Sequence, residues 1–224
     1  MMDHLTQGIE YMQNQKYEEA AQSFTQAIEE NPTEPLGYVN FGNLLLHMND
    51  RDRAERFFKK AIELNDEVAT AHYGLGNVYY EQERFDEAVE PFQKAIQKGL
   101  EESDAYYMLG LSLLYQEQFK FALAYLQRAT ELSPEDAEVH FQYGLCLAQV
   151  GMIDEAIQTF TKVLTLNHEH SDAHYNLGVS FLYKEDPEQA LKHFGLAIDI
   201  QPDHMLAANA KAKVEELLEQ NQGD

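Results

Sequence analysis

The sequence predicts an all-α fold built from a tandem array of helix pairs, and three observations predict it. Val, Ile and Thr number only 9, 8 and 8 among 224 residues, which is few for a protein built of sheets. Apolar residues are spaced three and four apart, as on one face of a helix. Six of the twelve glycines recur every 34 residues, at Gly8, Gly42, Gly76, Gly110, Gly144 and Gly178.

Other residues repeat in phase with the glycines, which indicates a structural unit of 34 residues. Twelve positions after each glycine stands an alanine, at Ala20, Ala54, Ala88, Ala122, Ala156 and Ala190. Four positions further stands a large apolar residue, at Phe24, Phe58, Phe92, Leu126, Phe160 and Phe194. The small residues allow two helices to cross closely, and the large ones fill the remaining volume. We therefore expect Gly110→Leu to be strongly destabilising.

Each unit contains two helices, as residues 69–98 illustrate. Leu75 and Tyr79 lie on one face of a first helix, and Ala88 and Phe92 on one face of a second. The segment 83–85 between them is short, so the two helices must be antiparallel.

Proline and glycine mark where the second helices end. The pairs Asn31-Pro32, Ser133-Pro134 and Gln201-Pro202 end three of them, because a residue before proline resists the helical region. Gly99 ends another. Pro91 falls inside a second helix, where it removes a hydrogen bond, and we expect a local kink there.

The unit contains, in this order, an aromatic residue, Leu-Gly, Ala, an aromatic residue and Ala. In this pattern the unit resembles the tetratricopeptide repeat. The resemblance implies a right-handed α-solenoid of helix-turn-helix repeats. It predicts six repeats, at 1–34, 35–68, 69–102, 103–136, 137–170 and 171–204, and a capping helix with a short tail at 205–224. Asp66, Leu100 and His168 replace the proline that ends the family's repeat, which loosens those turns without disturbing the stack.

The charge balance excludes several classes of protein. With 39 acidic and 16 basic residues, the net charge is −23, which opposes binding to nucleic-acid phosphates. No apolar run reaches the ~18–20 residues that a membrane span needs, and the N-terminus lacks the pattern of a signal peptide. The single Cys146 excludes an internal disulfide. We predict a soluble, cytoplasmic protein.

The sequence lacks motifs of catalysis and cofactor binding, so we predict a protein without enzymatic activity and without a cofactor. Acidic pairs such as Asp86-Glu87 open the second helices, where the helix dipole favours them. Cys146 stands between Leu145 and Leu147, and these apolar neighbours predict a buried and inert thiol.

The histidines allow two interpretations. His4, His72, His140 and His174 share the repeat position that Tyr38 and Tyr106 hold in other units, which predicts a packed ring with a polar edge. The cluster of His168, His170 and His174 is denser, and His170 and His174 are four residues apart, as in two-ligand metal sites. We favour incidental histidines at a turn and predict no metal, but the sequence leaves metal binding open.

The candidate binding surface is a stripe on the first helix of each repeat, at repeat positions 2, 5, 6, 9, 12 and 13. The resemblance implies that this inner stripe lines the concave side. None of its 36 places holds Lys or Arg, and four hold acids. Tyrosine supplies contact area, and asparagine pairs with both donors and acceptors of a peptide backbone. The candidate partner-binding residues are Asn40, Asn43, Tyr73, Asn77, Tyr80, Tyr107, Tyr115, Phe141, Tyr175, Asn176 and Tyr183.

These residues predict a scaffold or adaptor that binds a peptide or protein segment in the groove. The partner should be apolar with basic residues, because the charges of the stripe are all negative. Some members of the family clamp acidic C-terminal peptides with Lys, Asn and Arg, and the missing cations disfavour that activity here. A small-ligand-responsive regulator of an enzyme is a weaker alternative.

A further alternative is weak self-association through Met2, Leu5 and Ile9. The first repeat begins at residue 1, so we expect no preceding helix to cover its apolar flank.

Overall fold

The chain folds as an all-α protein of helix-turn-helix pairs, as predicted. A computed structural model describes residues 3–222, which contain thirteen α-helices and no strand. The helices are α1 His4–Gln13, α2 Tyr17–Glu30, α3 Pro35–His47, α4 Arg51–Leu64, α5 Ala69–Glu81, α6 Phe85–Gln97, α7 Ser103–Tyr115, α8 Phe119–Leu132, α9 Ala137–Gln149, α10 Ile153–Leu166, α11 Ser171–Tyr183, α12 Pro187–Ile200 and α13 Met205–Gln222. We call α1, α3, α5, α7, α9 and α11 the A helices, and α2, α4, α6, α8, α10 and α12 the B helices.

Between the A and B helices, the chain turns at a residue with a left-handed backbone conformation. It stands at repeat position 15 each time, with φ between 57° and 84°, at Gln15, Asn49, Glu83, Glu117, Gly151 and Glu185. In the third repeat, the N–H of Arg84 then donates to the carbonyl of Tyr79 at 2.9 Å, which closes the end of α5. Only Gly151 is a glycine, so the other five turns hold a residue that resists this conformation.

The B helices end where proline and glycine predict. α2, α8 and α12 stop at Glu30, Leu132 and Ile200, directly before the three pairs that contain proline. α6 ends at Gln97 and is followed by Gly99, whose φ is +96°. Pro91 lies inside α6, which runs on to its end as a single helix.

The core is built from the residues that repeat in the sequence. The alanines at position 20 and the large apolar residues at position 24 are fully buried in all six repeats. The position-8 glycines allow this packing, because a Cβ atom on Gly76 would lie 2.6 Å from the ring of Phe92. Five repeats show the same close approach between a glycine and a phenylalanine. Helix crossing at glycine, as predicted, explains the strict spacing.

The helices form two compact units, of which unit 1 ends at Glu117 and unit 2 begins at Gln118. In unit 1, consecutive helices from α1 to α7 pack in order, and α3 also contacts α1 and α5 directly. α5 likewise contacts α7, whereas no comparable contact joins α2 to α4 or α4 to α6 in the described part of this unit. The A helices therefore approach one another on one side of unit 1, and the B helices stand apart on the other.

In unit 2 the helices from α8 to α13 also pack consecutively, and α9 contacts α11 directly. The capping helix α13 packs on α12, but through fewer residues than its sequence suggests. Ala207 and Val214 are buried, and Ala210 and Leu218 pack against the cluster around Phe194. Met205, Leu206 and Leu217 are also apolar but are exposed, so they do not contribute to this contact.

Candidate functional site

The inner stripe lies on the side of each unit where the A helices approach one another. Its residues differ widely in exposure, because position 5 of each A helix also packs against the B helices. Val39 and Phe141 at this position are buried, and Tyr73, Tyr107 and Tyr175 are half-buried. The stripe is therefore partly core and partly available surface.

In unit 1, Tyr73 and Asn77 lie one turn apart on α5. The ring of Tyr73 packs against Phe92, with a centroid distance of 5.8 Å. Burial raises the pKa of Tyr73, and a hydrogen bond with the side chain of Asn77 opposes that rise in part. The polar groups of Tyr73 and Asn77 therefore lie close together on α5.

Three rings form a cluster at the C-terminal ends of α5 and α7. Tyr115 stacks on Phe85 with a centroid distance of 4.2 Å and an angle of 8°, and Tyr80 meets both rings edge-on. Burial and the neighbouring Tyr115 raise the pKa of Tyr80. Tyr115 remains 61% exposed, so one face of its ring is free to contact another molecule. Phe85 was not predicted as part of this cluster, because it belongs to a B helix.

The asparagines of the stripe have two different roles. At position 6, the amide groups of Asn40 and Asn176 donate to carbonyls one turn earlier on their own helices, each at 2.8 Å. At position 9, Asn43 and Asn77 occupy equivalent, half-buried places on the neighbouring helices α3 and α5. The asparagines at position 9, unlike those at position 6, are therefore arranged along two adjacent helices of unit 1.

Unit 2 carries the remaining predicted residues. Phe141 is only 8% exposed and packs against Phe160 and His170, so it belongs to the core and offers no surface to a partner. Tyr175 is half-buried between Phe194 and His204. Tyr183 is 73% exposed at the end of α11. Of the aromatic residues predicted in this unit, Tyr183 is the exposed one.

Three of the four acids of the stripe already have partners. Glu81 forms an ion pair with Arg51 at 2.9 Å, Glu138 accepts from Gln142 at 2.8 Å, and Asp172 accepts from His204 at 3.1 Å. Asp104, on α7 of unit 1, is exposed, and its charge contributes to the raised pKa of Tyr73. Asp104 is therefore the acid that leaves negative charge beside Tyr73 and Asn77.

The histidines at repeat position 4 act mainly as packed rings with a polar edge. His72 and His140 each place Nε2 within 3.0 Å of a backbone carbonyl six residues earlier, as the hydroxyl of Tyr38 does. This arrangement confirms the packing role for His72 and His140 and explains why tyrosine and histidine alternate at this position.

The three histidines of the cluster at 168–174 have different surroundings. His168 is exposed, and Nδ1 of His170 accepts from the N–H of Ala173 at the start of α11. His174 turns to His193 on α12, with the two Nδ1 atoms 3.0 Å apart. Among residues 3–222 no group of three His, Cys, Asp or Glu side chains is arranged to hold a metal ion.

The pair of His174 and His193 makes the last repeat sensitive to acid. Burial lowers the pKa of both rings, and that of His193 falls to about 4 with help from His174 and Lys192, while His170 contributes to the effect on His174. An unfolded histidine has a pKa of about 6.5. The contribution of the neutral pair to stability is therefore complete above this pH and is lost as the pH falls toward 4.

We expect the melting temperature to fall by several degrees more between pH 7.5 and pH 5 in the native protein than in His193→Phe. Phenylalanine occupies the same repeat position at Phe57, so the variant keeps a ring in place. Thermal unfolding followed by circular dichroism at both pH values measures the difference. Equal shifts in the two proteins would show that the histidine pair does not cause the sensitivity.

The apolar flank of α1 is less exposed than its composition suggests. Ile9 is 36% exposed, and Leu5 and Met12 are half-buried, whereas Met2 lies outside the described residues.

Cys146 is fully buried, its thiol donates to the carbonyl of Phe119 at 3.2 Å, and burial raises its pKa to about 11. Burial and the raised pKa both oppose reaction of this thiol, which agrees with the prediction of an inert cysteine. Within residues 3–222, no helix has the length and apolar character needed to cross a membrane.

Comparison with known proteins agrees with this architecture. Sequence profiles described as tetratricopeptide repeat match residues 39–102 and 107–174, and further profiles of the same description match 11–60 and 171–204. The TPR repeat-containing protein YrrB of Bacillus subtilis (strain 168) is 51% identical over 39 residues, which are 17% of this chain and 19% of that protein.

Solved structures of repeat proteins superpose over most of the chain. A crystal structure of YrrB, described as a TPR protein with an unusual peptide-binding site, matches with a TM-score of 0.84 and 51% identity over 86% of this chain and 99% of that one. MamA from Desulfovibrio magneticus RS-1 (TM-score 0.69, 23% identity, 75% and 94% of the two chains) and pilF of Pseudomonas aeruginosa (0.77, 19%, 94% and 96%) share the fold.

Proposed function

The chain belongs to the tetratricopeptide repeat family, and on this premise we propose that it is a non-enzymatic scaffold that binds a peptide segment of a partner protein on its inner stripe. One observation carries the proposal. Asn43 and Asn77 stand at equivalent places on two adjacent helices of unit 1, and the same unit holds the exposed ring of Tyr115. Amide groups suit the backbone of an extended peptide, and an aromatic ring suits its side chains.

The proposed partner segment contains apolar and basic residues. The stripe holds no Lys or Arg, and Asp104 adds negative charge beside Tyr73 and Asn77. The net charge of −23 also attracts a basic segment before contact. The structural neighbour YrrB, described as having a peptide-binding site, supports a peptide as the class of partner.

Fluorescence anisotropy tests this proposal with two labelled peptides of equal length, one alternating leucine with lysine and the other leucine with glutamate. The basic peptide is expected to bind at least about tenfold more tightly, since like charges across an interface cost free energy. Equal affinity for the acidic peptide would contradict the proposal.

Self-assembly through α1 is a second candidate function, and the exposure of Ile9 favours it. Covering apolar area stabilises an association by about 25 cal/mol per Å². We expect sedimentation velocity to show a concentration-dependent dimer that the double variant Leu5→Glu, Ile9→Glu abolishes. A native protein that remains monomeric at millimolar concentration would exclude this candidate.

A further inference from the structure

A cleft of about 400 Å³ opens in unit 1 on the side of the B helices. It lies between α4 and α6, and α5 forms its floor. The residues of α5 that form this floor are His72, Leu75 and Tyr79, and the walls include Ile62 and Pro91. We call these five residues the outer cleft. The inner stripe lies on the other side of the A helices, so the outer cleft is a separate surface.

The outer cleft exists because two large rings are missing. In the second repeat, Phe57 fills the corresponding space and packs against Phe41 and Tyr38, with centroid distances of 4.7 and 6.1 Å. Phe57 stands at repeat position 23, where the third repeat has Pro91, and Leu75 replaces Phe41. The neighbouring repeat therefore shows that an aromatic ring fits this place.

The floor of the outer cleft offers one hydrogen-bond acceptor. Nε2 of His72 lies 2.9 Å from the carbonyl of Asp66, which can only accept, so Nε2 carries the proton. In the neutral ring Nδ1 is then an acceptor, and within residues 3–222 it has no hydrogen-bond partner. In the sixth repeat the equivalent His174 uses Nδ1 to bond His193, which stands at position 23. A ring with an N–H group at this place would satisfy Nδ1 of His72 in a comparable way.

The lysines at the rim of the outer cleft are paired with carboxylates. Lys59 is paired with Glu55 at 2.6 Å and Lys94 with Glu90 at 2.9 Å. Glu87 is held by Arg84, 2.7 Å away. Because both lysines that line the cleft are paired and Asp86 adds a further negative charge, the rim does not select an anion.

We propose that the outer cleft is a second binding site, which takes a neutral aromatic heterocycle with one ring N–H, of the size of indole, from solution. The ring occupies the place that Phe57 fills in the second repeat, and its N–H donates to Nδ1 of His72. A volume of about 400 Å³ lies within the range of small-molecule sites.

Titration with indole and with 1-methylindole tests the proposal, because the two rings are similar in shape and only indole can donate. Heteronuclear NMR of the full chain is expected to show shifts of His72, Leu75 and Tyr79 with indole. Binding of 1-methylindole should be at least about tenfold weaker, since it leaves the acceptor unpaired. Absence of shifts with indole, or equal affinity for both rings, would overturn the proposal.

Two variants test the site by introducing into the third repeat residues that the second repeat has at the same repeat positions. Pro91→Phe places the ring of Phe57 in the third repeat and should abolish indole binding, while binding of the basic peptide to the inner stripe stays unchanged. His72→Tyr follows Tyr38, keeps a donor for the carbonyl of Asp66 and removes Nδ1, so indole should bind about tenfold more weakly. Indole affinity that survives Pro91→Phe in a folded protein would refute the site. Tighter binding of a tryptophan peptide than of indole would assign the cleft to a partner's side chain and overturn the small-molecule assignment.

Discussion

Replacing Gly76 by leucine is expected to lower the melting temperature by roughly 10 °C. A Cβ atom alone would lie 2.6 Å from two ring carbons of Phe92, which is fully buried and cannot move aside. Overpacking of a filled core costs about 1–3 kcal/mol or more, and each 1 kcal/mol lowers the melting temperature of a chain of this size by ~2–4 °C. Thermal unfolding monitored by circular dichroism measures the effect.

Gly76→Ala is matched by the control Gly195→Ala, because Gly195 also lies in a helix but has no heavy atom within 4 Å of an added Cβ. Alanine is favoured over glycine in a helix by up to ~1 kcal/mol, so this variant should be slightly more stable than the native protein. The double variant Gly76→Ala, Phe92→Leu should recover part of the loss of Gly76→Ala, since leucine vacates the ring volume. Unchanged stability of Gly76→Leu would contradict the close packing of Gly76 against Phe92.

The double variant Asn43→Ala, Asn77→Ala is expected to bind the basic peptide about tenfold more weakly or worse. Each hydrogen bond to a neutral group contributes ~0.5–1.5 kcal/mol, and the two losses add along one extended ligand. Both asparagines are only half-buried, so the melting temperature should change little. Tyr73 is a poorer choice for this test, because its ring packs on Phe92 and its loss would disturb the core.

The net charge is the same in this variant as in the native protein, so a loss of affinity cannot come from weaker general attraction. Gln22→Ala with Gln26→Ala is the matched control, since it removes two exposed amide groups from α2, outside the inner stripe. Anisotropy with the same labelled peptide should give native affinity for this control. Native affinity in the asparagine variant would remove the inner stripe of unit 1 as the binding surface.

Much of the fold could be predicted because close helix crossings leave a signature in the sequence. The alanines and phenylalanines of the repeat are fully buried, as expected. The left-handed turns could not be predicted, because four of the five non-glycine turn residues, such as Glu83, are glutamine or glutamate, which carry no turn signal. There the short connection between two packed helices imposes the conformation, and the core compensates its cost.

The inner stripe was less predictable than the core, because the same repeat position can be accessible in one repeat and buried in the core in another. Gly74 stands at position 6, where other repeats hold Asn40 or Asn176, yet it is buried, with an added Cβ only 2.2 Å from Phe58. Phe141 was predicted to bind a partner and instead fills the core beside Phe160. Helical periodicity assigns a direction to each side chain, but not the distance at which the next helix lies.

The sequence by itself determined the helices, their pairing and their core, since these depend on contacts within one 34-residue unit that recur six times. The tertiary structure alone decided which residues of the stripe remain accessible, and it paired His174 with His193 across 19 residues of chain. It also decided that Pro91 leaves a cleft rather than a filled space. Such features depend on how side chains from different helices share volume, and a one-dimensional period carries no information about that volume.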